Sequence, residues 1–270
     1  MVFIPHSALP IPHLTSVVSP DSTQRFSNRV ADYVRYRPGY PRGILSILEA
    51  ETGLSADSSV ADVGSGTGIS AELFLSHGNT VHAVEPNAEM RAAAEAALAK
   101  YPRFHSVVGT AEATTLANQS VDYVVAAQAF HWFNGESTRR ESARILRPGG
   151  WVVLVWNTRR VDTTPFLRAY EALLQEFATD YQQVDHRNID QEKLQRFYAG
   201  PFQRRVLENE QTFHLTGLQG RLGSSSYAPP AGHSRYEPMI AALDKIFWEH
   251  QQNGQVRFEY DTELYFGHVD

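Results

Sequence analysis

The chain has 270 residues, of which 42% are hydrophobic and 20% are charged, and its formal net charge is -6. This composition is typical of a globular protein and excludes collagen-like, coiled-coil and disordered classes. The acidic balance disfavours a long nucleic acid as a partner. Cysteine is absent, which excludes disulfides, zinc–thiolate sites, iron–sulfur clusters and a cysteine nucleophile.

The first 20 residues contain no Lys or Arg, and Pro5, Pro10 and Pro12 interrupt their apolar stretch. A secretory signal needs a basic start and a continuous apolar segment, so we predict a cytoplasmic protein in which residues 1–24 form an N-terminal extension. The longest purely apolar run, residues 151–156, is far shorter than the roughly 20 residues of a membrane-spanning helix. We therefore expect no membrane partner.

From residue 58 onward, short apolar runs alternate with helical patterns. Gly78 ends one predicted helix, Pro86 ends the strand that follows it, and Asn87 can cap the next helix. The predicted strands span residues 58–64, 80–86, 104–109, 121–128 and 151–157, and the helices between them span residues 68–78, 87–100 and 136–146. This alternation predicts a parallel, doubly wound sheet.

After residue 157 the pattern changes to amphipathic helices over 165–181 and 191–200. Two strands, over 202–216 and 256–269, flank a further helix and complete the sheet. The predicted fold is α/β: a Rossmann-like, doubly wound, mostly parallel sheet of about seven strands with a helical cap inserted after the fifth strand. The predicted divisions after the extension are an N-terminal helical lid at 25–57, a nucleotide-binding core at 58–157, the cap at 158–200, and sheet completion with a C-terminal helix at 201–270.

Three alternating glycines, Gly64, Gly66 and Gly68, follow the first predicted strand. A dinucleotide pyrophosphate is usually bound by glycines spaced G-x-G-x-x-G, but Ile69 stands where that pattern needs its third glycine. An alternating turn preceded by an acid, Asp62, exposes bare backbone to an uncharged nucleoside and tolerates a positively charged sulfonium. An NAD(P)-dependent oxidoreductase and a non-catalytic nucleoside-binding module are the alternatives, since both share this strand–glycine–helix arrangement.

Polar residues follow the next three strands, at the carboxyl edge where parallel sheets bind ligands. Glu85 ends the second strand, where its carboxylate can accept hydrogen bonds from the vicinal hydroxyls of a ribose. Ala111 and Glu112 follow the third strand, where a backbone N–H and a carboxylate can meet an adenine edge. His131 lies among aromatic residues after the fourth strand and is a candidate base.

The segments VADVGSGTG, VHAVEP, VVGTAEA, VDYVVAAQAFHWF and LRPGGWVVLVWN follow one another along the chain. In this order they resemble the class I S-adenosylmethionine-dependent methyltransferases over about residues 25–160, and they look closest to the small-molecule branch that includes trans-aconitate methyltransferase-like proteins. The resemblance implies a methyltransferase whose cofactor is S-adenosyl-L-methionine. Thr110 departs from the pattern, because many relatives have Asp there.

The resemblance also implies roles for individual residues. The glycines would lie under the cofactor, with Asp62 near its amino-acid end and Glu85 on its ribose hydroxyls. Gln128 would border the methionine moiety, and His131 and Trp132 would face the acceptor. These three are the implied catalytic residues, with His131 as a candidate base. The implied cofactor-binding residues are Asp62, Gly64, Gly66, Gly68, Glu85, Ala111, Glu112, Gln128, Tyr33 and Arg37, and Tyr36 belongs to the same lid segment.

Methyl transfer from a sulfonium is an in-line displacement, for which the protein must align the reactants and exclude water. We predict transfer to an oxygen, and less readily to a nitrogen or sulfur, of a small organic acceptor. A carboxylate acceptor needs an arginine rather than a base, and Arg159, Arg160, Arg221 and Arg235 are candidates among which the spacing selects none.

The predicted partners are limited by two further patterns. The residues AQAFHW after the fourth strand differ from the Pro-Pro-aromatic motif of the DNA amino-methylating members of the family. The histidines show no metal-ligand spacing. We therefore expect no nucleic-acid partner, no metal, and a monomer or homodimer.

Overall fold

The computed structural model describes residues 34–179, 181, 191–225 and 227–270, which form a seven-stranded sheet flanked by helices. The strands are β1 (Ser59–Val63), β2 (Thr80–Val84), β3 (Phe104–Val107), β4 (Val121–Ala127), β5 (Leu146–Arg159), β6 (Phe202–Phe213) and β7 (Val256–Gly267). The helices are α1 (Gly43–Thr52), α2 (Ile69–His77), α3 (Ala88–Leu98), α4 (Gly135–Ile145), α5 (Pro165–Phe177), α6 (Gln191–Tyr198), α7 (Leu215–Gly223) and α8 (Tyr236–His250).

The strand order in the sheet is β3-β2-β1-β4-β5-β7-β6. Strands β1 to β5 pair in parallel, whereas β7 lies between β5 and β6 and runs antiparallel to both. The prediction of a doubly wound, mostly parallel α/β sheet of about seven strands is confirmed. The strand order reverses between β1 and β4, and such a switch point leaves a crevice at the carboxyl ends of the strands.

Two hydrophobic clusters cover the two faces of the sheet, because successive side chains of a strand point to opposite faces. On one face, Val153 and Val155 of β5 pack with α1 and α2. On the other face, Val152 and Leu154 pack with α4 and α6. Strand β5 is thus buried on both faces, as its nearly continuous apolar sequence predicts.

The predicted ends of two helices are also confirmed. Gly78 ends α2 in the left-handed conformation, with a φ of 108°. The Asn87 side chain caps α3 by accepting hydrogen bonds from the backbone N–H groups of Glu89 and Met90. These two ends fix the loops on either side of β2, which carry several of the residues described below.

The predicted cap at 158–200 does not form a single unit. Its first helix, α5, packs with α7 and α8 in a third hydrophobic cluster that includes Phe258 of β7. Its second helix, α6, packs instead beside α4 on the sheet through Leu194, Phe197 and Tyr198. The Tyr198 hydroxyl there donates to the Tyr265 carbonyl of β7 at 3.1 Å. The cap therefore consists of α5, α7 and α8, because the apolar face of α6 is complementary to the sheet.

Part of the predicted organisation lies outside the described residues: the extension at 1–24 and the lid before residue 34, with Tyr33. The lid from residue 34 to α1 is described. Within the described ranges, no helix combines the length and the apolar character that crossing a membrane requires.

Candidate functional site

A cleft opens above the carboxyl ends of β1, β2 and β4, at the switch point of the sheet. Its lining consists of Tyr40, Gly64, Ser65, Gly66, Thr67, Ile69, Ser70, Glu85, Pro86, Asn87, Met90, Thr110, Ala111, Glu112, Ala127, Gln128, Ala129, Trp132 and Phe133. The predicted site residues that it brings together are Gly64, Gly66, Glu85, Ala111, Glu112, Gln128 and Trp132. The predicted site residues outside the lining are Asp62, Gly68, His131 and Arg37.

The glycine turn between β1 and α2 forms one wall of the cleft. Gly66 has a φ of 55°, and no described atom lies within 4 Å of a Cβ built on it, so its backbone is exposed to the cleft. Gly68 has a φ of 86°, but a Cβ there would lie 2.6 Å from the Leu98 Cδ1. Gly66 therefore leaves room for a ligand, whereas Gly68 allows α2 to pack closely against α3.

Glu85 connects the glycine turn to the loop after β2. Its Oε2 accepts the Gly66 N–H at 2.9 Å, and its Oε1 accepts the Asn87 N–H at 2.9 Å. Burial raises the pKa of the Glu85 carboxyl, and the two backbone donors and Arg91 oppose that effect. Each carboxylate oxygen can accept a further hydrogen bond, so Glu85 can bind a pair of hydroxyl groups in the cleft.

Three lining side chains carry buried polar atoms for which the described part of the chain provides no hydrogen-bond partner: Ser65 Oγ, Thr67 Oγ1 and Gln128 Oε1. Unpaired buried polar atoms cost free energy in a folded protein, so they indicate where polar groups of a ligand fit. Ser65 and Thr67 were not predicted as site residues. Their hydroxyls alternate with the glycines in the sequence, and that pattern is the signal that could have identified them.

Gln128 adopts a strained conformation immediately after β4. Its φ of 55° lies in the left-handed region, which residues other than glycine rarely adopt. Its N–H donates to the Val155 carbonyl at 2.9 Å, and its Nε2 donates to the Asn157 carbonyl at 3.0 Å. These two bonds to β5 hold the residue in place, and strain of this kind is concentrated at functional sites.

Asp62 lies behind the glycine turn and is fully buried. The Ser70 hydroxyl donates to its Oδ2 at 2.6 Å, while its Oδ1 has no partner among the residues described. Burial raises the pKa of Asp62 to about 7, although the Ser70 hydrogen bond opposes the rise. The contact between Asp62 and the amino-acid end of a cofactor stays a prediction.

The loop after β3 closes one end of the cleft. Thr110 and Ala113 exchange backbone hydrogen bonds of 3.1 and 3.2 Å, which place Ala111 and Glu112 in the lining. The Glu112 Oε1 accepts the Asn134 N–H at 2.9 Å and so joins this loop to the start of α4. This placement is compatible with the predicted contact of Ala111 and Glu112 with an adenine, which stays a prediction.

A short 3-10 helix, Phe130–Trp132, follows β4 and places the predicted catalytic residues differently. Trp132 lines the cleft, whereas His131 is not part of the lining, and the two ring centroids are 4.6 Å apart. Phe130 is buried in the core, where its ring contacts Phe197. The role of His131 as a base stays a prediction.

The lid contributes Tyr40 to the cleft, a residue that was not predicted. Asn157 of β5 and Asn209 of β6 both donate to the Gly39 carbonyl, at 3.1 and 2.9 Å. These bonds hold the lid against the sheet edge and place Tyr40 in the lining. Nothing in the local sequence distinguishes Tyr40, because its position depends on two asparagines from distant strands.

The other lid residues contact the cap. Arg37 donates to the Ser224 carbonyl at 2.7 Å, at the end of α7. The Tyr36 ring packs against Gly220 of α7 so closely that a Cβ on Gly220 would overlap it. These contacts place Arg37 outside the cleft lining, and Tyr33 lies outside the described residues.

The charges of the cleft favour a neutral or cationic ligand. Glu85 and Glu112 supply two carboxylates, and the lining that the structure describes includes no Lys or Arg. Ile69, the first residue of α2, lines the cleft where a helix N-terminus would otherwise meet a pyrophosphate. This arrangement does not suit a dinucleotide.

Residues 61–154 match the family model of a methyltransferase domain. The chain is 36% identical over 156 residues to an uncharacterized methyltransferase-like protein of Schizosaccharomyces pombe, a match that covers 57% of this chain and 59% of that protein. It is 40% identical over 139 residues to an uncharacterized methyltransferase of Mycobacterium tuberculosis, covering 52% and 54%. The chain thus spans little more than half the length of these curated relatives.

Two solved structures are similar in fold. One is a protein from Anaeromyxobacter dehalogenans that is provisionally assigned as a type II methyltransferase; the TM-score is 0.65 and the identity 24%, covering 86% of this chain and 97% of that one. The other is phosphoethanolamine N-methyltransferase 2 of Haemonchus contortus in complex with S-adenosyl-L-methionine, with a TM-score of 0.50 and 17% identity, covering 93% and 58%.

Proposed function

We propose that this chain, which carries a class I S-adenosylmethionine-dependent methyltransferase domain, methylates a small organic molecule. The family predicted from the motifs is confirmed by the match over residues 61–154. When bound, S-adenosylmethionine supplies a methyl group on a positively charged sulfonium. The observation that carries the proposal is the cleft, in which bare backbone at Gly66 lies beside the Glu85 carboxylate and the described lining includes no basic residue.

Four lining residues have the groups needed to hold the cofactor. Glu85 would accept hydrogen bonds from the sugar hydroxyls. Ala111 would offer its backbone, and Glu112 its carboxylate, to the adenine. The Gln128 Oε1, which is buried and lacks a described partner, would accept a hydrogen bond from the amino group. The binding of this cofactor by a protein of similar fold supports the assignment.

The remaining work of the chain is to align the acceptor and to exclude water. Trp132 and Phe133 supply apolar lining on the side of the cleft that follows β4. We propose an oxygen as the accepting atom, and less readily a nitrogen or sulfur. A carboxylate is ionised at neutral pH and needs no base, whereas a hydroxyl acceptor would transfer its proton to the His131 imidazole.

Isothermal titration calorimetry tests the cofactor assignment. We expect S-adenosylmethionine and its demethylated product, S-adenosylhomocysteine, to bind, because the cleft offers acceptors for hydroxyl and amino groups. We expect NADH and NADPH not to bind, since Ile69 and the acidic lining disfavour a pyrophosphate. Absence of binding by the two adenosyl compounds at millimolar concentration, or binding of a nicotinamide cofactor in their place, would contradict the proposal.

A transfer assay separates a catalyst from a nucleoside-binding module. The protein is incubated with methyl-labelled S-adenosylmethionine and a metabolite extract, and labelled small molecules are separated from the cofactor. We expect a labelled product with the unmodified protein and its loss in Gln128→Ala, which removes an amide in the cleft. Tight binding of S-adenosylhomocysteine without any labelled product would favour the binding module.

A further inference from the structure

Two arginines meet at a buried site in the cap. Arg159 ends β5, and its side chain is 10% exposed; Arg221 belongs to α7 and is 6% exposed. Tyr170 of α5 lies beside them: the Arg159 Cζ is 5.1 Å from the centre of the Tyr170 ring. The Tyr170 and Arg221 side chains share a further neighbour, because both contact the Phe258 ring. We refer to Arg159, Arg221 and Tyr170 together as the cap arginine site.

The polar groups of this site are only partly used. Arg159 donates through Nη2 to Glu171 at 2.5 Å and to the Tyr181 hydroxyl at 3.0 Å, but no described residue accepts from its buried Nη1. Arg221 donates through Nη1 to the Ser225 hydroxyl at 3.0 Å, and its buried Nε lacks an acceptor. The buried Tyr170 hydroxyl is likewise unpaired within the described ranges. Three donors therefore remain unused.

The site also has an excess of positive charge. Among the described residues, only one carboxylate contacts either of the two guanidinium groups: Glu171, which forms an ion pair with Arg159. Buried charge without a counter-ion is costly. Burial alone would raise the pKa of the nearby Tyr227, but the charges of Arg221 and Arg159 outweigh burial and lower it. The surroundings thus favour an additional negative charge.

Strand β5 connects the cleft to the cap arginine site. The Gln128 amide, in the cleft, donates to the Asn157 carbonyl. Arg159 follows two residues later on the same strand, which corresponds to about 7 Å. A ligand that extends from the cleft by about this length along the end of β5 would meet the cap arginine site.

We propose that the cap arginine site binds a carboxylate of the methyl acceptor, so that the substrate is a small organic acid. The inference rests on the proposed function, because it assigns the acceptor of the same reaction. Guanidinium groups match a carboxylate in shape and charge, and the Tyr170 hydroxyl supplies a further donor. The three unused donors and the excess charge are both satisfied by one such group.

The bound carboxylate is an anchor and not the accepting group, because its lone pairs are engaged by the guanidiniums. A second group of the acid attacks the methyl carbon, its lone pair forms the new bond, and the electron pair of the carbon–sulfur bond stays on sulfur. If that second group is a hydroxyl, its proton would pass to the His131 imidazole, the candidate base. The substrate is thus an acid with a separate nucleophilic atom.

Variants at two neighbouring arginines form a matched pair. Arg159→Gln removes one guanidinium of the site. Arg160→Gln removes the next arginine along the chain, which pairs with Asp261 and Glu208 on a more exposed surface. Tyr170→Phe deletes a hydroxyl that makes no hydrogen bond with the described residues, so it leaves the fold intact. Circular dichroism and thermal unfolding check that each variant is folded.

Two measurements test the proposal. Succinate and benzoate, their amides succinamide and benzamide, and inorganic phosphate are titrated into the protein with and without S-adenosylhomocysteine. The labelled-methyl assay is then run on the acidic and the neutral fractions of a metabolite extract, separated by anion exchange. We expect a carboxylate to bind while the amides do not, and we expect labelled product from the acidic fraction. Carboxylate binding and product formation should each fall at least tenfold in Arg159→Gln. A severalfold weakening is expected in Tyr170→Phe and no change in Arg160→Gln.

The opposite results overturn the inference. The inference fails if acids and amides bind equally, if inorganic phosphate is preferred, or if no carboxylate binds. It also fails if product forms from the neutral fraction alone, or if both Arg159→Gln and Tyr170→Phe behave like the wild type. Failure of S-adenosylhomocysteine to bind would contradict the proposed function instead. The carboxylate titration of the protein without S-adenosylhomocysteine would then still decide whether the cap arginine site binds an acid.

Discussion

Glu85 connects two loops and lines the cleft at the same time. Its two oxygens accept backbone N–H groups of Gly66 and Asn87, one from each loop. A carboxylate held in this way is oriented before any ligand arrives. Loss of the side chain would therefore affect both the shape of the empty cleft and the binding of a sugar.

We expect Glu85→Ala to weaken binding of S-adenosylhomocysteine by about 1 to 3 kcal/mol, the scale of lost hydrogen bonds to a charged group. Thermal stability should fall as well, because the Gly66 and Asn87 N–H groups lose their acceptor. Calorimetry and thermal unfolding measure the two effects. The exposed Glu89 in the first turn of α3 supplies the control, since Glu89→Ala should leave affinity unchanged. An unaltered affinity in Glu85→Ala would remove Glu85 from the binding site.

The raised pKa of the buried Asp62 carboxyl predicts that the stability of the protein falls as the pH rises. Its pKa in the folded chain is about 7, above the ordinary value of 3.8, so folding favours the protonated carboxyl. The stabilisation from this proton is complete below about pH 4 and is lost as the pH rises through about 7, with an upper limit of about 4 kcal/mol.

Chemical unfolding of the native protein and Asp62→Asn measures this effect. The native protein should lose stability relative to Asp62→Asn between pH 4 and pH 8. Asp122 provides a control of opposite sign: partial burial raises its pKa, but hydrogen bonds from Ser59 and Arg147 outweigh burial and lower it. Asp122→Asn should therefore cost most stability at neutral pH and least in acid. A difference between native protein and Asp62→Asn that does not vary with pH would refute the assignment.

At the scale of elements, the β1–α2 turn separates two uses of glycine. Both Gly66 and Gly68 have positive φ, but Gly68 packs against Leu98 of α3 while Gly66 faces the cleft. The sequence pattern alone predicts the same role for both glycines. Their different roles follow from the packing of α2 on α3.

We expect Gly68→Ala to destabilise the protein by more than Gly66→Ala, because only the former adds a clash to backbone strain of about 1 kcal/mol. Gly66→Ala should instead weaken binding of S-adenosylhomocysteine by at least tenfold, since its methyl group would occupy the open wall of the cleft. Urea unfolding and calorimetry give the two quantities. Equal effects of both substitutions on both quantities would contradict this division of roles.

The elements that the sequence predicts well are those fixed by local pattern. Strands β1 to β4 form close to the predicted residues, whereas β5 begins at Leu146, five residues before the predicted start at residue 151. Helix α7 was not predicted, because Gly217, Gly220 and Gly223 give it a low helix propensity. Packing of Tyr36 on Gly220 stabilises it through tertiary contact. Helix α6 was predicted, but its amphipathic pattern does not indicate which apolar surface it covers.

The same distinction applies to the candidate site. Gly66, Glu85, Glu112 and Gln128 follow directly after predicted strands, so the edge of the sheet brings them together. Tyr40 reaches the cleft only through asparagines from β5 and β6. The spacing of the arginines in the sequence selected none of them, because Arg159 and Arg221 share neighbours only through tertiary packing, which brings them to the rings of Tyr170 and Phe258.

At the scale of the whole molecule, β7 joins the nucleotide-binding half of the sheet to the cap. It pairs with β5 along one edge and β6 along the other, and its Phe258 belongs to the cluster formed by α5, α7 and α8. The cleft and the cap arginine site therefore rest on one continuous sheet. This arrangement would fix the distance between the cofactor and the anchored end of an acceptor.

We propose that the cleft at β1 and β4 binds S-adenosylmethionine through the Glu85 carboxylate, and a crystal structure of the protein with S-adenosylhomocysteine would reveal that contact. We expect the two sugar hydroxyls to lie within hydrogen-bond distance of the Glu85 oxygens and the Gly66 backbone to contact the ligand. A complex in which S-adenosylhomocysteine binds elsewhere, while side chains of the protein fill this cleft, would contradict this proposal.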